Sequence, residues 1–261
     1  MISFLETFRK LFYRGLSWAL VVFLIGLSFY SALIDNSISE KTITDNQEQV
    51  SKYHSVSYKK AVKKSRDSAV RIISIDSTEG HVSTFSGTYI KSYGSYFVVT
   101  VAHGLAGPCE FTKVVYADEL YDCVKIIEKN DAIDYAVIQV DPIPTRVAVT
   151  MPRDLPKRQQ WRHAFGLHSK VIYTGYPNNI GPLSIGGHVT GANGTNFIYL
   201  DSYAWEGSSG SGVFDSKGRF IGYVIAIDVG ATEFGVQVLN NVVLVVPSFK
   251  IDWTKLITEA E

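Results

Sequence analysis

The chain has 261 residues, of which 46% are hydrophobic, so it can build one large domain or two small ones around a substantial core. Its formal net charge is zero, but residues 1–66 hold 10 Lys and Arg against 5 Asp and Glu, which leaves 15 basic against 20 acidic side chains in the remainder. An acidic globular part lacks the basic footprint of nucleic-acid-binding proteins, so we expect no nucleic-acid partner. Abundant Tyr and Phe, recurrent Val and Ile runs and scarce helical periodicity favour an all-β fold.

The N-terminal region predicts a membrane anchor. Residues 15–34 contain no charged side chain and are long enough to cross a bilayer as a helix. A buried core helix and a cleaved signal peptide are the alternatives. A cleavage site after Ala32 would need a small residue where Tyr30 stands, so we favour an uncleaved anchor embedded in the lipid bilayer. Basic residues before the span and acidic ones after it predict a single-pass protein with a cytoplasmic N-terminus and an extracytoplasmic domain, periplasmic or extracellular.

The segments on either side of the predicted anchor are polar or amphipathic. Residues 1–14 are expected to form an amphipathic lead-in on the cytoplasmic membrane face. Residues 35–66 predict a polar and basic stalk. Its last part, Tyr58–Arg66, carries five basic side chains, which indicates either a solvated helix face or contact with lipid headgroups.

From Ser68 onward, short apolar runs recur at intervals of about ten residues, which is typical of barrels and sandwiches. Six predicted strands lie in a first set and at least six in a second, the last run, Phe234–Val246, being long enough for two strands. We therefore predict two six-stranded antiparallel barrels and a closing helix packed against the second one. The predicted bounds are 67–150 for the first barrel, 151–164 for a connector, 165–247 for the second barrel and 248–261 for the C-terminal helix.

Three segments carry the residues of a candidate catalytic site. His103 follows the apolar run Tyr96–Ala102, a position from which a general base can reach a cleft. Asp134 directly precedes another apolar strand, where it can orient an imidazole or simply cap the strand. Asp131 competes for this role but lies in the turn. Ser209 lies among glycines, a setting that is common in plain loops but that also suits an exposed nucleophile with backbone N–H groups around it.

The order His, Asp, Ser is that of chymotrypsin-type enzymes. The chain from about Ser68 to Pro247 resembles the trypsin-like protease domain, and within it the HtrA-type branch. The motifs that carry this resemblance are Thr100-Val-Ala-His103, Asp134-Tyr-Ala-Val-Ile, Gly175-Tyr-Pro-Asn, Gly187-His-Val-Thr-Gly and the serine segment Gly207-Ser-Ser209-Gly. No PDZ domain follows in the sequence, so regulation of the HtrA kind through such a domain is not expected.

The resemblance implies a chymotrypsin fold and a role for each motif. Ser209 would be the nucleophile, His103 the general base and Asp134 its partner, without a cofactor or a metal. The N–H groups of Gly207 and Ser209, with Ser208 between them, would form the oxyanion hole. The pocket for the substrate residue before the scissile bond would be shallow and apolar. Its walls would come from residues 203–206 and 224–227, and chiefly from Tyr203, Trp205, Ile225, Ala226 and Ile227.

The two cysteines, Cys109 and Cys123, allow two interpretations. Outside the cytoplasm they could form a disulfide, whereas in a reducing compartment they would remain free thiols. Without nearby histidines they do not predict a metal site.

Together these observations favour a membrane-anchored serine endopeptidase acting on protein or peptide substrates. Two alternatives stay open: a catalytically silent binding or chaperone-like module on the same fold, and a viral or phage maturation protease with the same chemistry.

Overall fold

A computed structural model of the protein describes residues 56–76, 80–194, 197–232 and 235–258. The predicted lead-in (1–14) and the predicted anchor (15–34) lie outside these ranges. Within the described ranges, no helix is both long enough and apolar enough to cross a bilayer.

The first barrel is closed by six antiparallel strands in the order β1-β4-β5-β6-β3-β2, and β2 pairs again with β1. These strands are β1 (Ala69–Ile75), β2 (Val82–Ser92), β3 (Ser95–Thr100), β4 (Thr112–Tyr116), β5 (Glu119–Asn130) and β6 (Tyr135–Val140). A two-residue strand, β7 (Val149–Thr150), adds to β2 in parallel. The apolar side chains that predicted the strands fill the interior, and Ile72, Val98 and Ile138 are fully buried.

The second barrel is also closed by six antiparallel strands, in the order β10-β13-β12-β11-β8-β9. They are β8 (Lys170–Gly175), β9 (Leu183–Asn193), β10 (Phe197–Asp201), β11 (Gly212–Asp215), β12 (Phe220–Thr232) and β13 (Gly235–Pro247). The prediction of two six-stranded antiparallel barrels with a short C-terminal helix is thus confirmed. The expected split of the last run into two strands is wrong, because β13 continues through two register shifts opposite β12, and such bulges bend a strand without ending it.

The segment between the barrels contains a 3₁₀ turn, Arg158–Gln160, followed by a short helix, α2 (Trp161–Ala164). Before the turn, Asp154 is 7% exposed and accepts a hydrogen bond from the Thr150 N–H at 2.9 Å.

Residues 56–68 form a helix, α1, that belongs to the same compact unit as the barrels. The predicted stalk, residues 35–66, is therefore wrong from residue 56 onward. Ala61 and Ser65 lie one turn apart on the buried face of α1, and such a stripe packs a helix onto a core in spite of its lysines. The Ser65 hydroxyl donates to Thr174 Oγ1 at 2.8 Å, which joins the helix to β8.

The C-terminal helix, α3 (Trp253–Thr258), contacts both barrels instead of the second alone. The Trp253 ring makes an edge-on contact with Phe220 of β12, with ring centroids 6.3 Å apart. Lys255 Nζ lies 2.7 Å from Glu128 Oε1 of β5, in the first barrel. Leu256 is fully buried in the core that includes Tyr135 and Val137 of β6, and its burial there explains the shift from the expected position.

Candidate active site

His103 lies just beyond the end of β3, in the loop that leads to β4 of the same barrel. Val101 and Ala102 are fully buried, whereas the His103 side chain is 55% exposed. Its Nδ1 lies 2.7 Å from Asp134 Oδ2, and its backbone N–H donates to Asp134 Oδ1 at 3.0 Å. Because an ionised carboxylate only accepts, Nδ1 carries the proton and Nε2 remains an acceptor.

Asp134 is presented by a tight turn before β6. Its backbone has φ +54°, in the left-handed region that aspartate tolerates better than most residues. The Asn130 side-chain oxygen accepts the N–H groups of Ala132 and Ile133 at 3.1 and 3.3 Å and so closes the turn. Asp131, the competing candidate, is exposed and lies 3.8 Å from Lys129 Nζ, so the structure brings Asp134 and not Asp131 to His103.

A buried tyrosine supports this turn from β12. The Tyr223 hydroxyl donates to the Ile133 carbonyl at 3.2 Å. Burial, together with the nearby charge of Asp134, raises the pKa of Tyr223 far above its ordinary value. Tyr223 is therefore a neutral donor at every physiological pH.

Ser209 lies in the nucleophile loop, which we define as residues 205–211. Gly207 and Gly210 both have φ +88°, a conformation that favours glycine. A Cβ atom on Gly210 would lie 1.9 Å from the Ser86 carbonyl oxygen, and one on Gly207 would lie 2.7 Å from the Tyr176 carbonyl oxygen. Both positions therefore require glycine for backbone conformation and for space.

Three backbone N–H groups of the nucleophile loop, those of Glu206, Gly207 and Ser209, have no hydrogen-bond partner among the described residues, and the last two are the pair predicted for the oxyanion hole. The N–H of Ser208 donates to the Trp205 carbonyl at 2.9 Å, so this group is not available to an oxyanion. The Asn178 N–H donates to the Glu206 carbonyl at 2.8 Å. In a trans peptide the N–H points opposite to the C=O, so this bond sets the direction of the Gly207 N–H.

Ser86 of β2 fastens the nucleophile loop to the first barrel. Its N–H donates to the Ser209 carbonyl at 2.9 Å, and its hydroxyl donates to the Gly207 carbonyl at 2.6 Å. The same hydroxyl accepts the Tyr176 N–H at 2.9 Å. Ser86 is fully buried, and sequence analysis missed it because these contacts join segments far apart in the chain.

The Ser209 hydroxyl donates to the Ile225 carbonyl at 2.9 Å. Ser209 and His103 line the same cleft, but no hydrogen bond joins their side chains in this structure. The structure thus brings His103 and Asp134 into direct contact and Ser209 into the same cleft, with its hydroxyl turned towards β12.

This cleft has a volume of about 300 Å³. Of the predicted pocket residues, Trp205 and Ile225 line it. Tyr203 lines a neighbouring cavity instead, although its ring stacks on Trp205 with centroids 6.3 Å apart. The side chains of Ala226 and Ile227 lie outside the part that the structure describes. Ala204, Glu206 and Val224, which lie in the two segments predicted to form the pocket walls, also line the cleft.

Cys109 and Cys123 form a disulfide, with Cα atoms 5.3 Å apart. It joins the loop that follows His103 to β5. In the described ranges, no group of three or more His, Cys, Asp or Glu side chains is placed to hold a metal ion.

Comparison with known proteins defines the class. The family model described as a trypsin-like peptidase domain matches residues 85–222, more than half of the chain, and this stretch includes His103, Asp134 and Ser209. The chain belongs to this family, and it is a serine endopeptidase by class. Among curated protein sequences, none matches this chain.

Solved structures with the same fold include three proteases. The active form of the Rv3671c protease from M. tuberculosis superposes with a TM-score of 0.57 at 18% identity, over 75% of this chain and 83% of that one. A serine endoprotease from Yersinia pestis superposes with a TM-score of 0.57 at 17% identity, over 78% of this chain and 66% of that one. The HtrA-type protease AlgW, solved with a tripeptide, superposes with a TM-score of 0.57 at 19% identity, over 74% of this chain and 60% of that one. The chain thus spans about two thirds of the Yersinia structure and three fifths of AlgW, and at these identities the likeness concerns the fold.

Proposed function

We propose that the chain cleaves peptide bonds through a triad of His103, Asp134 and Ser209. The observation that carries this proposal is the double hydrogen bond from His103 to Asp134 at the cleft that also holds Ser209. It supports a fixed ring orientation with Nε2 free to accept a proton.

The reaction begins when the Ser209 hydroxyl turns from the Ile225 carbonyl towards His103, a change between staggered rotamers. Ser209 Oγ attacks the substrate carbonyl carbon while its proton passes to His103 Nε2. Asp134 stabilises the imidazolium that forms. His103 then returns the proton to the leaving amine as the C–N bond breaks, and water hydrolyses the acyl-enzyme by the same steps.

The negative charge on the substrate oxygen would be held by the N–H groups of Gly207 and Ser209. Both are without partners in the described residues, and the Asn178–Glu206 bond directs the first of them. Donors fixed before the reaction stabilise the transition state without reorganisation. Once Ser209 has turned away, the Ile225 carbonyl is free to accept an N–H from an extended substrate.

The cleft supports a preference for a small or aliphatic residue before the scissile bond. Its apolar lining comes from Ala204, Trp205, Val224 and Ile225. Glu206 contributes the one acidic side chain among the described lining residues, so a basic substrate residue near this rim would be favoured over an acidic one.

We also propose that residues 15–34 anchor the enzyme in a membrane with its peptidase unit outside the cytoplasm. The uncharged span supports this placement, and so does the disulfide, since disulfides persist mainly in oxidising compartments.

A catalytically silent binding module is the second candidate. The hydrogen bond from Ser209 to Ile225 favours it, because a serine held in that position cannot transfer its proton to His103.

Hydrolysis of a peptide library by the full-length chain separates these candidates. We expect cleavage by the wild type and a loss of at least about 10³-fold in kcat for Ser209→Ala. Ser211→Ala is the matched control, because the Ser211 hydroxyl is buried without a partner among the described residues and takes no part in the proposed mechanism. Cleavage that survives in Ser209→Ala would contradict the assignment, and a folded but inactive wild type would favour the binding module.

A further inference from the structure

A second cavity, of about 450 Å³, lies where β1 and β4 meet the segment that follows β8. Its lining includes Arg71, Tyr116, Asp118, Tyr176, Asn179 and Pro182. We call this cavity the arginine pocket. It shares no lining residue with the catalytic cleft.

The arginine pocket has an unneutralised positive charge. Arg71 lines the pocket as a half-buried residue, and its guanidinium forms no salt bridge or hydrogen bond with any described residue. Arg66 donates to the Pro182 carbonyl at 3.0 Å and thus supports one wall. The Arg146 guanidinium lies 4.1 Å from the ring centroid of Tyr116, and its Nε is buried without a partner among the described residues.

Tyr176 lies among these three arginines. Burial raises the pKa of Tyr176, and the charges of Arg146, Arg71 and Arg66 oppose that rise. Of the three arginines, Arg71 lines the pocket and the other two act on Tyr176 from beside it. The one acidic residue among the described lining residues is Asp118, on an exposed turn. The electrostatics of the pocket therefore favour an anion.

The wall of the arginine pocket also supports the oxyanion hole. Within residues 176–179, the Tyr176 N–H donates to Ser86 Oγ, which donates to the Gly207 carbonyl. The Asn178 N–H donates to the Glu206 carbonyl. Asn178 and its neighbour Asn179 have φ +49° and +60°, in the left-handed region. This conformation costs free energy, and the binding of a ligand can offset that cost.

We propose that the arginine pocket binds the oxyanion group of a ligand, a carboxylate or a phosphate, and that occupancy raises peptidase activity by fixing residues 176–179. A guanidinium binds either group through paired hydrogen bonds, and the Tyr116 hydroxyl and the Asn179 amide offer further donors. A ligand shifts a conformational equilibrium only when it prefers one state, and here it would prefer the state that aims the Gly207 N–H at the cleft. The second half of the proposal rests on the proposed function, whereas the binding half does not.

The binding half is tested by calorimetry on the full-length chain carrying Ser209→Ala, at constant ionic strength. The probes are inorganic phosphate and an acetylated, amidated Glu-Ala-Glu tripeptide, with the Gln-Ala-Gln counterpart as the uncharged control. We expect at least one anionic probe to bind, and Arg71→Gln to weaken its binding about tenfold, or 1.4 kcal/mol. Arg162→Gln removes an equal charge from the exposed surface of α2 and should leave binding unchanged.

Binding by phosphate alone would identify a phosphate-bearing ligand, and binding by the tripeptide alone a peptide carboxylate; either supports the site. No binding of either probe, or equal binding by Arg71→Gln, would overturn it. The coupling is tested separately: a saturating probe should raise kcat/KM of the wild type severalfold on a neutral peptide and should not raise that of Arg71→Gln. Binding without this rise would overturn the coupling alone. Binding through Arg71 in a chain without any peptidase activity would refute the proposed function and leave the site standing.

Discussion

At the scale of single residues, Asp134 combines two properties that its position requires. Its left-handed backbone conformation presents the carboxylate to His103, and both of its oxygens accept hydrogen bonds from that residue. Asparagine also tolerates this conformation, so Asp134→Asn changes the hydrogen bonding with little effect on the backbone.

We expect Asp134→Asn to lower kcat by about 10³- to 10⁴-fold, because the amide N–H favours the wrong imidazole tautomer. Steady-state kinetics on a peptide substrate measures the effect. Asp131→Asn, three residues before Asp134 in the same turn, is the control and should keep wild-type kcat. Equal losses in the two variants would contradict the assignment of Asp134.

In the proposed mechanism, Ser86 is a positioning residue for the oxyanion hole, because it holds the Gly207 carbonyl and the Tyr176 N–H. Ser86→Ala leaves the Tyr176 N–H and the Gly207 carbonyl without this partner, so we expect a loss of about 1–3 kcal/mol in the free energy of unfolding. We also expect kcat to fall at least about tenfold with a smaller change in KM, because the Gly207 N–H acts mainly on the transition state.

Ser74→Ala provides a matched control for Ser86→Ala. The Ser74 hydroxyl is equally buried, contacts Thr112 Oγ1 at 3.1 Å and accepts the Gly107 N–H at 3.2 Å, away from the cleft. The Ser74→Ala variant should therefore have a lower free energy of unfolding than the wild type and an unchanged kcat. If Ser86→Ala and Ser74→Ala have the same kcat, Ser86 is structural only.

At the scale of secondary-structure elements, an ion pair holds α1 to the segment between the barrels. Lys64 Nζ lies 2.8 Å from Asp154 Oδ1. Burial raises the pKa of Asp154, but hydrogen bonds from Lys64, the Thr150 N–H and Arg153 outweigh it, so that the pKa lies below its ordinary value. A depressed pKa means that this stabilisation is present above the unfolded-state pKa, about 3.9, and is lost as pH falls through the folded-state value.

Asp154→Asn should therefore lower the free energy of unfolding by about 1–2 kcal/mol at pH 7, and the difference from the wild type should shrink below about pH 4. Urea unfolding of both proteins at pH 7 and below about pH 4 measures the difference in the free energy of unfolding. Asp141→Asn, at an exposed position directly after β6, is the control and should leave the unfolding free energy nearly unchanged. If the difference in the free energy of unfolding between the wild type and Asp154→Asn does not depend on pH, the stabilising role of the ionised Asp154 is contradicted.

The disulfide constrains the loop between His103 and β5. Closing a loop with a sequence separation of 14 is worth about 3 kcal/mol in the chain-entropy model. We expect a reductant to lower the thermal midpoint of the wild type and to have no effect on the double variant Cys109→Ala, Cys123→Ala. An unchanged wild-type midpoint after confirmed reduction of the bond would refute this contribution.

At the scale of the whole molecule, the sequence predicted what local patterns determine. Alternating apolar runs predicted the two barrels, and the motifs placed His103, Asp134 and Ser209 at strand ends and in a glycine-rich loop, where the structure has them. The family resemblance rests on the same local motifs, and the family match confirms it.

What the sequence did not predict depends on tertiary contacts. The lysines of α1 concealed the stripe that buries Ala61 and Ser65, so the helix was interpreted as part of a stalk. Ser86 contacts Gly207 across 121 positions of sequence, and no local pattern signals such a bond. The hydrogen bond from Ser209 to Ile225 depends on a side-chain rotamer, which sequence does not specify.

The most direct test of the central claim, that His103 and Asp134 activate Ser209, is fluorophosphonate labelling of the full-length chain with the modified residue mapped by mass spectrometry. We predict labelling at Ser209, lost in Ser209→Ala, strongly slowed in His103→Ala and unchanged in Ser211→Ala. Labelling at another serine, or no labelling of a folded wild-type chain, would contradict the proposed triad.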